Sequence, residues 1–173
     1  MVELTILSLN VRGLNNNIKR VKYQQLMHRQ KADVVLIQES HLRQEDVSKI
    51  QDKQYKVISS SSCSYKSKGV IIVFKRNLPT KMEKTYIDNL GRSTYVCTTI
   101  YDTKIAFVAI YAQTIFEKNF YPSVMQELLT LSEYKLIIGG DMNAVCDLTL
   151  DKSIKAGRHF VSGVKINYCK THF

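Results

Sequence analysis

The stretch LTILSL at residues 4–9, read together with VVLI at 34–37, decides the fold class. The first alternates apolar and polar residues imperfectly and the second is an unbroken apolar run, so both read as strands. Between them, residues 18–31 place Ile18, Val21, Leu26 and Met27 at roughly three-and-four spacing, with Lys19, Arg20, Lys22 and Arg29 elsewhere. That pattern predicts an amphipathic helix buried along the apolar stripe. Further strands rich in Val, Ile, Thr, Tyr and Phe are predicted over 55–59, 70–75, 82–87, 94–101 and 104–111. The step at Asp102 and Thr103 is short enough for a hairpin, although it lacks glycine. The Ser-rich segment 59–64 reads as a surface loop. Pro122 opens a second helical stretch in which Val124, Leu128 and Leu131 share a face, and 136–138 is a short buried strand running into Gly139 and Gly140. Many strands with few helices make an α/β layered sandwich.

The chain has 173 residues, enough for one domain with a real core. Apolar residues at 45% and charged ones at 23%, with nine Gly and Pro in all, exclude collagen, coiled coil and disorder. Twenty-five Lys and Arg against fifteen Asp and Glu leave a net charge of +10, a field that favours polyanions such as nucleic acid or an acidic membrane face. Cys63, Cys97, Cys146 and Cys169 are scattered with no C-x-x-C spacing, so neither a zinc site nor a disulfide framework is expected. The opening MVELTILSLN has an acidic residue where a signal peptide carries a basic one, and no apolar run approaches the roughly 20 residues of a bilayer span. The expected setting is therefore the nucleus or cytoplasm, without secretion or a membrane partner.

Polar residues that end buried strands are the places to look for chemistry, because ligands of layered α/β folds gather there. Four strand ends carry such residues: Asn10 in SLNVRGL, Glu39 in VLIQESHL, Tyr111 in VAIYAQ, and Asp141 with Asn143 in LIIGGDMNAV. Taken singly they read as ordinary: Asn10 as a turn former, Glu39 as a loop or cap carboxylate, Tyr111 as a strand-end aromatic, and Gly139-Gly140 as tight backbone before a turn. Brought together, they would set carboxylates, amides and a phenol in one pocket. Such a set of hard oxygen donors suits Mg2+, which can clamp a phosphate or acidify a bound water.

In order and context, the strings ILSLNVRGLN, DVVLIQESHL, SKGVIIVF and IIGGDMN resemble the successive signature segments of the endonuclease/exonuclease/phosphatase superfamily. The resemblance is nearest to the endonuclease domains of LINE-type (non-LTR) retrotransposons. It implies a four-layer α/β sandwich of two mainly antiparallel sheets flanked by helices, and a metal-dependent phosphodiesterase site using Mg2+ or Mn2+ on DNA. By the same resemblance, Glu39 is the metal-binding glutamate and Asn10 the amide that orients it and the metal. Asp141 then orients or deprotonates the attacking water and completes the metal set. Asn143 positions nucleophile and phosphate, and Tyr111 hydrogen-bonds a phosphoryl oxygen. Arg12 and His41 lie within reach of a substrate backbone, His41 being read as an exposed loop histidine.

Departures from the family pattern carry weight too. The Ser-Asp-His motif, which supplies a second acidic residue and a phosphate-stabilising histidine, does not occur, and neither His159 nor His172 follows Ser-Asp. Residues 1–150 are thus expected to form the N-terminal portion of such a domain with its second sheet incomplete, and 151–173 an atypical tail. On this reading the chain descends from DNA phosphodiester hydrolases and is weak or inactive by itself. A non-catalytic nucleic-acid-binding remnant is the alternative. Phosphoinositide phosphatases, sphingomyelinases and deadenylases share the superfamily, but short loops and basic charge fit them less well. No obligate protein partner is inferable.

Overall fold

A computed structural model describes residues 3–63, 67–113 and 117–143, with the backbone of 158–161 and 164–169. In chain order the elements are β1 (Leu4–Asn10), α1 (Asn17–Arg29), β2 (Val34–Gln38), a 3-10 turn (Gln44–Ile50), β3 (Tyr55–Ser61), β4 (Val70–Lys75), β5 (Lys81–Ile87) and β6 (Ser93–Ile100). Then come β7 (Thr103–Tyr111), α2 (Phe120–Leu129), β8 (Lys135–Asp141), β9 (Arg158–Val161) and β10 (Val164–Cys169). One sheet runs β3-β4-β2-β1-β10-β9 and the other β5-β6-β7-β8. Both sheets are mixed: β1 pairs parallel with β2 and with β10, β7 parallel with β8, and the remaining ladders are antiparallel. The two parallel ladders β1-β2 and β7-β8 matter most, because each sets two strand ends side by side.

Three apolar clusters make the four layers. Alternate residues of the first sheet (Ile6, Leu36, Ile72, Phe74) meet Val96, Ile105, Phe107 and Ala109 of the second, with Phe74 and Phe107 edge to face at 5.3 Å. The opposite face of the first sheet (Leu7, Leu9, Val35, Ile37) is covered by Tyr23 and Met27 of α1. The outer face of the second (Cys97, Ala106, Val108, Ile110) is covered by Phe120, Val124, Leu128 and Leu131, which includes the face expected for the second helix.

The first helix departs from expectation. Ile18 and Val21 are exposed, at 68% and 42%, and the buried pair is Tyr23 with Met27. At about 3.6 residues per turn, Ile18 and Val21 fall on the side of α1 away from Tyr23 and Met27 and stay in solvent when that pair packs on the sheet; Asn16 caps the Ile18 and Lys19 N–H groups. The serine segment is also corrected. Ser59, Ser60 and Ser61 are buried in β3, and their hydroxyls are satisfied by Thr94, Gln44 and the Asp88 carbonyl. The hairpin between β6 and β7 turns on Tyr101 and Asp102, both at positive φ (46° and 61°), the conformation of a type I′ turn even without glycine. Among the described residues no helix is long and apolar enough to cross a membrane.

Tyr55 fastens α1 to β3. Its fully buried hydroxyl lies 3.0 Å from the Met27 carbonyl and 2.9 Å from that of Ala32. Burial, and then the Asp33 and Asp52 carboxylates, push its ionisation up to about 12. Because the folded value lies above the unfolded one of about 10, the stabilisation is complete below that pH and is lost as pH rises toward 12. Tyr55→Phe should cost about 1 kcal/mol at neutral pH. In urea titrations at rising pH it should lose less stability than the parent over that alkaline window; parallel losses would show that Tyr55 ionises in the folded state as it does unfolded.

Candidate functional site

Register brings the four strand ends together. In the first sheet Asn10 stands opposite Gln38, so Glu39 is the first residue past the end of β2. In the second, Tyr111 stands opposite Asp141. The sheets close on one another at this end through glycine. A Cβ on Gly139 would lie 2.7 Å from Leu36 Cδ1 and 2.8 Å from Ser8 Oγ, so β8 approaches β1 and β2 more closely than any side chain allows. Of the pair read from sequence as tight backbone before a turn, Gly139 is therefore the contact that brings the two sheets together.

Asn10 joins the halves. Its Nδ2 donates to Glu39 Oε1 at 2.7 Å and to Asp141 Oδ2 at 2.7 Å, a single amide spanning two carboxylates from different sheets. Asn10 Oδ1 in turn accepts the Arg12 N–H at 3.2 Å. Asp141 Oδ1 accepts the Asn143 N–H at 3.1 Å, and the Asn143 side-chain amide donates to the Ala112 carbonyl, fixing the chain after β8 against the exit of β7. Tyr111 is half-buried beside both carboxylates, and its ionisation is raised by burial first, then by the Glu39 and Asp141 charges and by hydrogen bonding to Glu39. Each of the five residues singled out from sequence thus belongs to one connected group.

The backbone around the group is held in unusual conformations. Arg12, Gly13, Glu39, His41 and Asn143 all have positive φ, at 46°, 87°, 55°, 53° and 43°. Non-glycine residues there cost on the order of 1–3 kcal/mol each and persist only where the surroundings fix them. What fixes the first four is a backbone zipper between the two loops, Val11 N–H to Gln38 O, Gly13 N–H to Glu39 O and Leu14 N–H to Ser40 O, at 3.0, 2.7 and 2.8 Å, while Asn143 is held by its bonds to Asp141 and the Ala112 carbonyl.

His41 is not the exposed residue expected. Its side chain is 26% exposed, packs beside Gly13 and sets Nε2 3.8 Å from Glu39 Oε2. Burial lowers its pKa, Glu39 opposes that and Lys19 adds to it. Gln38, which ends the second strand beside Glu39, was not among the expected site residues, yet its buried amide donates to the Leu36 carbonyl and to Ser8 Oγ beneath the site. A polar residue ending an otherwise apolar run was the available signal.

The donor set, two carboxylates and an amide oxygen, is of the hard type that Mg2+ takes, since that ion uses one or two carboxylates and fills its remaining positions with water or phosphate. Among the described residues no group of three or more His, Cys, Asp and Glu side chains is placed to hold a metal ion.

The sequence model of the endonuclease/exonuclease/phosphatase family matches residues 7–160. Among solved structures, Danio rerio TDP2 complexed with a single-strand DNA product is similar at TM-score 0.65 and 18% identity, covering 87% of this chain and 64% of that one. The Bacteroides thetaiotaomicron mannosyl-6-phosphatase Bt3783 gives 0.60 and 15%, over 81% and 65%. The endonuclease domain of TRAS1, a telomere-specific non-LTR retrotransposon, gives 0.56 and 16%, over 81% and 59%. At such identities the likeness is one of fold, and the chain spans less than two thirds of each of these three.

Proposed function

Because the chain belongs to the endonuclease/exonuclease/phosphatase family, we propose that its strand-end site is built to hydrolyse a phosphodiester of DNA, in the manner of a retrotransposon endonuclease. The observation that carries this reading is the Asn10 amide holding Glu39 and Asp141 together from two sheets. Glu39, Asp141 and the Asn10 oxygen would hold a divalent ion, Mg2+ or Mn2+, which supplies positive charge against the phosphate and acidifies water. Asp141 takes the proton of the attacking water. Tyr111, a phenol beside the carboxylates, donates to a phosphoryl oxygen. Asn143 holds Asp141 in place through its backbone N–H. The net charge of +10 favours a polyanionic strand over a neutral substrate.

No Ser-Asp-His triplet occurs in the sequence. A missing phosphate-stabilising donor of this kind costs about 10²–10³ in rate, so turnover by this chain alone is expected to be slow. The experiment is nicking of supercoiled plasmid in Mg2+. Weak nicking that disappears in Glu39→Ala and in Asp141→Ala is expected, and nicking that survives both substitutions overturns the reading. Salt-sensitive DNA binding with no nicking at any metal concentration supports the alternative, a non-catalytic nucleic-acid binder, which the same basic charge favours.

A further inference from the structure

We infer that Arg12, seconded by Lys19, is a backbone-phosphate contact on the rim of the carboxylate site, and that it fits the site to a nucleic-acid strand beyond the phosphate being cleaved. This deepens the phosphodiesterase reading given above and rests on it. The position of Arg12 is fixed. Its own N–H is bound to Asn10 Oδ1 at 3.2 Å, and its neighbours Val11, Gly13 and Leu14 are bound to the carbonyls of Gln38, Glu39 and Ser40. A residue so tied cannot drift from the carboxylates that flank it in the fold.

Nothing in the backbone calls for arginine there. With φ at 46°, the position suits glycine or asparagine, and a long side chain is held in it at a cost of about 1 kcal/mol or more. The side chain is exposed, and its guanidinium makes no ion pair among the described residues. Arg43 and Arg92, by contrast, are matched to Glu45 and to Asp88 with Glu117. Lys19 donates from Nζ to the Arg12 carbonyl at 2.9 Å, which closes the loop and brings a second positive charge to it.

Two carboxylates joined by an amide repel an incoming polyanion, and the repulsion falls on every phosphate of a strand. A planar, permanently charged fork beside them offsets that repulsion and grips a phosphate through two N–H donors, which an ammonium cannot match in geometry. A small phosphomonoester, with its one phosphate at the carboxylates, has no second phosphate to place there.

The test is binding of a fluorescent DNA duplex across a salt series in EDTA, so that turnover does not enter. The proteins compared are the parent, Arg12→Gly, Arg12→Lys and Lys53→Gln. Lys53 is exposed just before β3, at the opposite end of the first sheet, and its substitution removes the same single charge. Arg12→Gly should weaken binding about tenfold at ~0.1 M salt and lower the slope of log K against log salt by about 1. Arg12→Lys should keep the slope, and Lys53→Gln should change neither. The melting temperature of Arg12→Gly should hold or rise, since glycine relieves the backbone. The inference is overturned if Arg12→Gly behaves as Lys53→Gln does, if its loss of affinity tracks a fall in melting temperature, or if it alters Mn2+ affinity alone, which would make Arg12 a neutraliser of the carboxylates. A chain that never nicks plasmid but shows the slope change defeats the hydrolytic reading and leaves this contact standing.

Discussion

Asn10→Asp should destabilise the metal-free protein by about 2–3 kcal/mol and make its melting temperature depend on divalent ion. The parent amide makes two hydrogen bonds to charged acceptors, each of a kind worth about 1.5–3 kcal/mol, reduced here because the site is only half-buried. Aspartate removes both donors and sets a third carboxylate between Glu39 and Asp141, where like charges repel. The same crowding makes a stronger cation site, so Mn2+ should raise the melting temperature of the variant more than that of the parent. Asn10→Ala separates the terms, because it loses the bonds without adding charge and should fall between the two proteins in EDTA. An Asn10→Asp protein that melts with the parent in EDTA would show that the bridge between the sheets contributes nothing.

Gly139→Val should be as damaging by a different route. A first side-chain carbon on residue 139 already collides with Leu36 Cδ1 and Ser8 Oγ at 2.7 and 2.8 Å, and the branches of valine add to the overlap. Leu36 is fully buried in the layer between the sheets and has nowhere to go. Relief requires β8 to move away from β1 and β2. The expected cost is on the order of 3 kcal/mol in urea denaturation, together with loss of any Mg2+-stimulated nicking as Asp141 moves away from Asn10. Stability within about 0.5 kcal/mol of the parent would mean that the sheets have slack at this end. Gly140 is less telling, since a Cβ there meets Ile110 of the neighbouring strand in the same sheet.

Much of this was legible in the amino-acid order because the relevant signals are local. Apolar runs that stop at Asn10, Gln38, Tyr111 and Asp141 mark strand ends, and parallel pairing of β1 with β2 and of β7 with β8 converts strand ends into neighbours. What could not be read is whatever depends on the partner surface. Which side of α1 is covered is set by the sheet: it takes Tyr23 with Met27, and at about 3.6 residues per turn Ile18 and Val21 fall on the far side. Ser59 to Ser61 look like a loop by composition, and only Gln44, Asp88 and Thr94, brought in from elsewhere, give their hydroxyls a place inside. The contact between Asn10 and Asp141 joins residues 131 positions apart, and no periodicity reports it.

That separation bears on when the protein acquires its chemistry. A chain still emerging from the ribosome carries Asn10 and Glu39 early, yet the second acidic partner is not made until residue 141 has been added. Half-synthesised polypeptide therefore holds one carboxylate and no pair. Until residue 141 has been added and the second sheet has docked on the first, the group that Asn10 ties together does not exist.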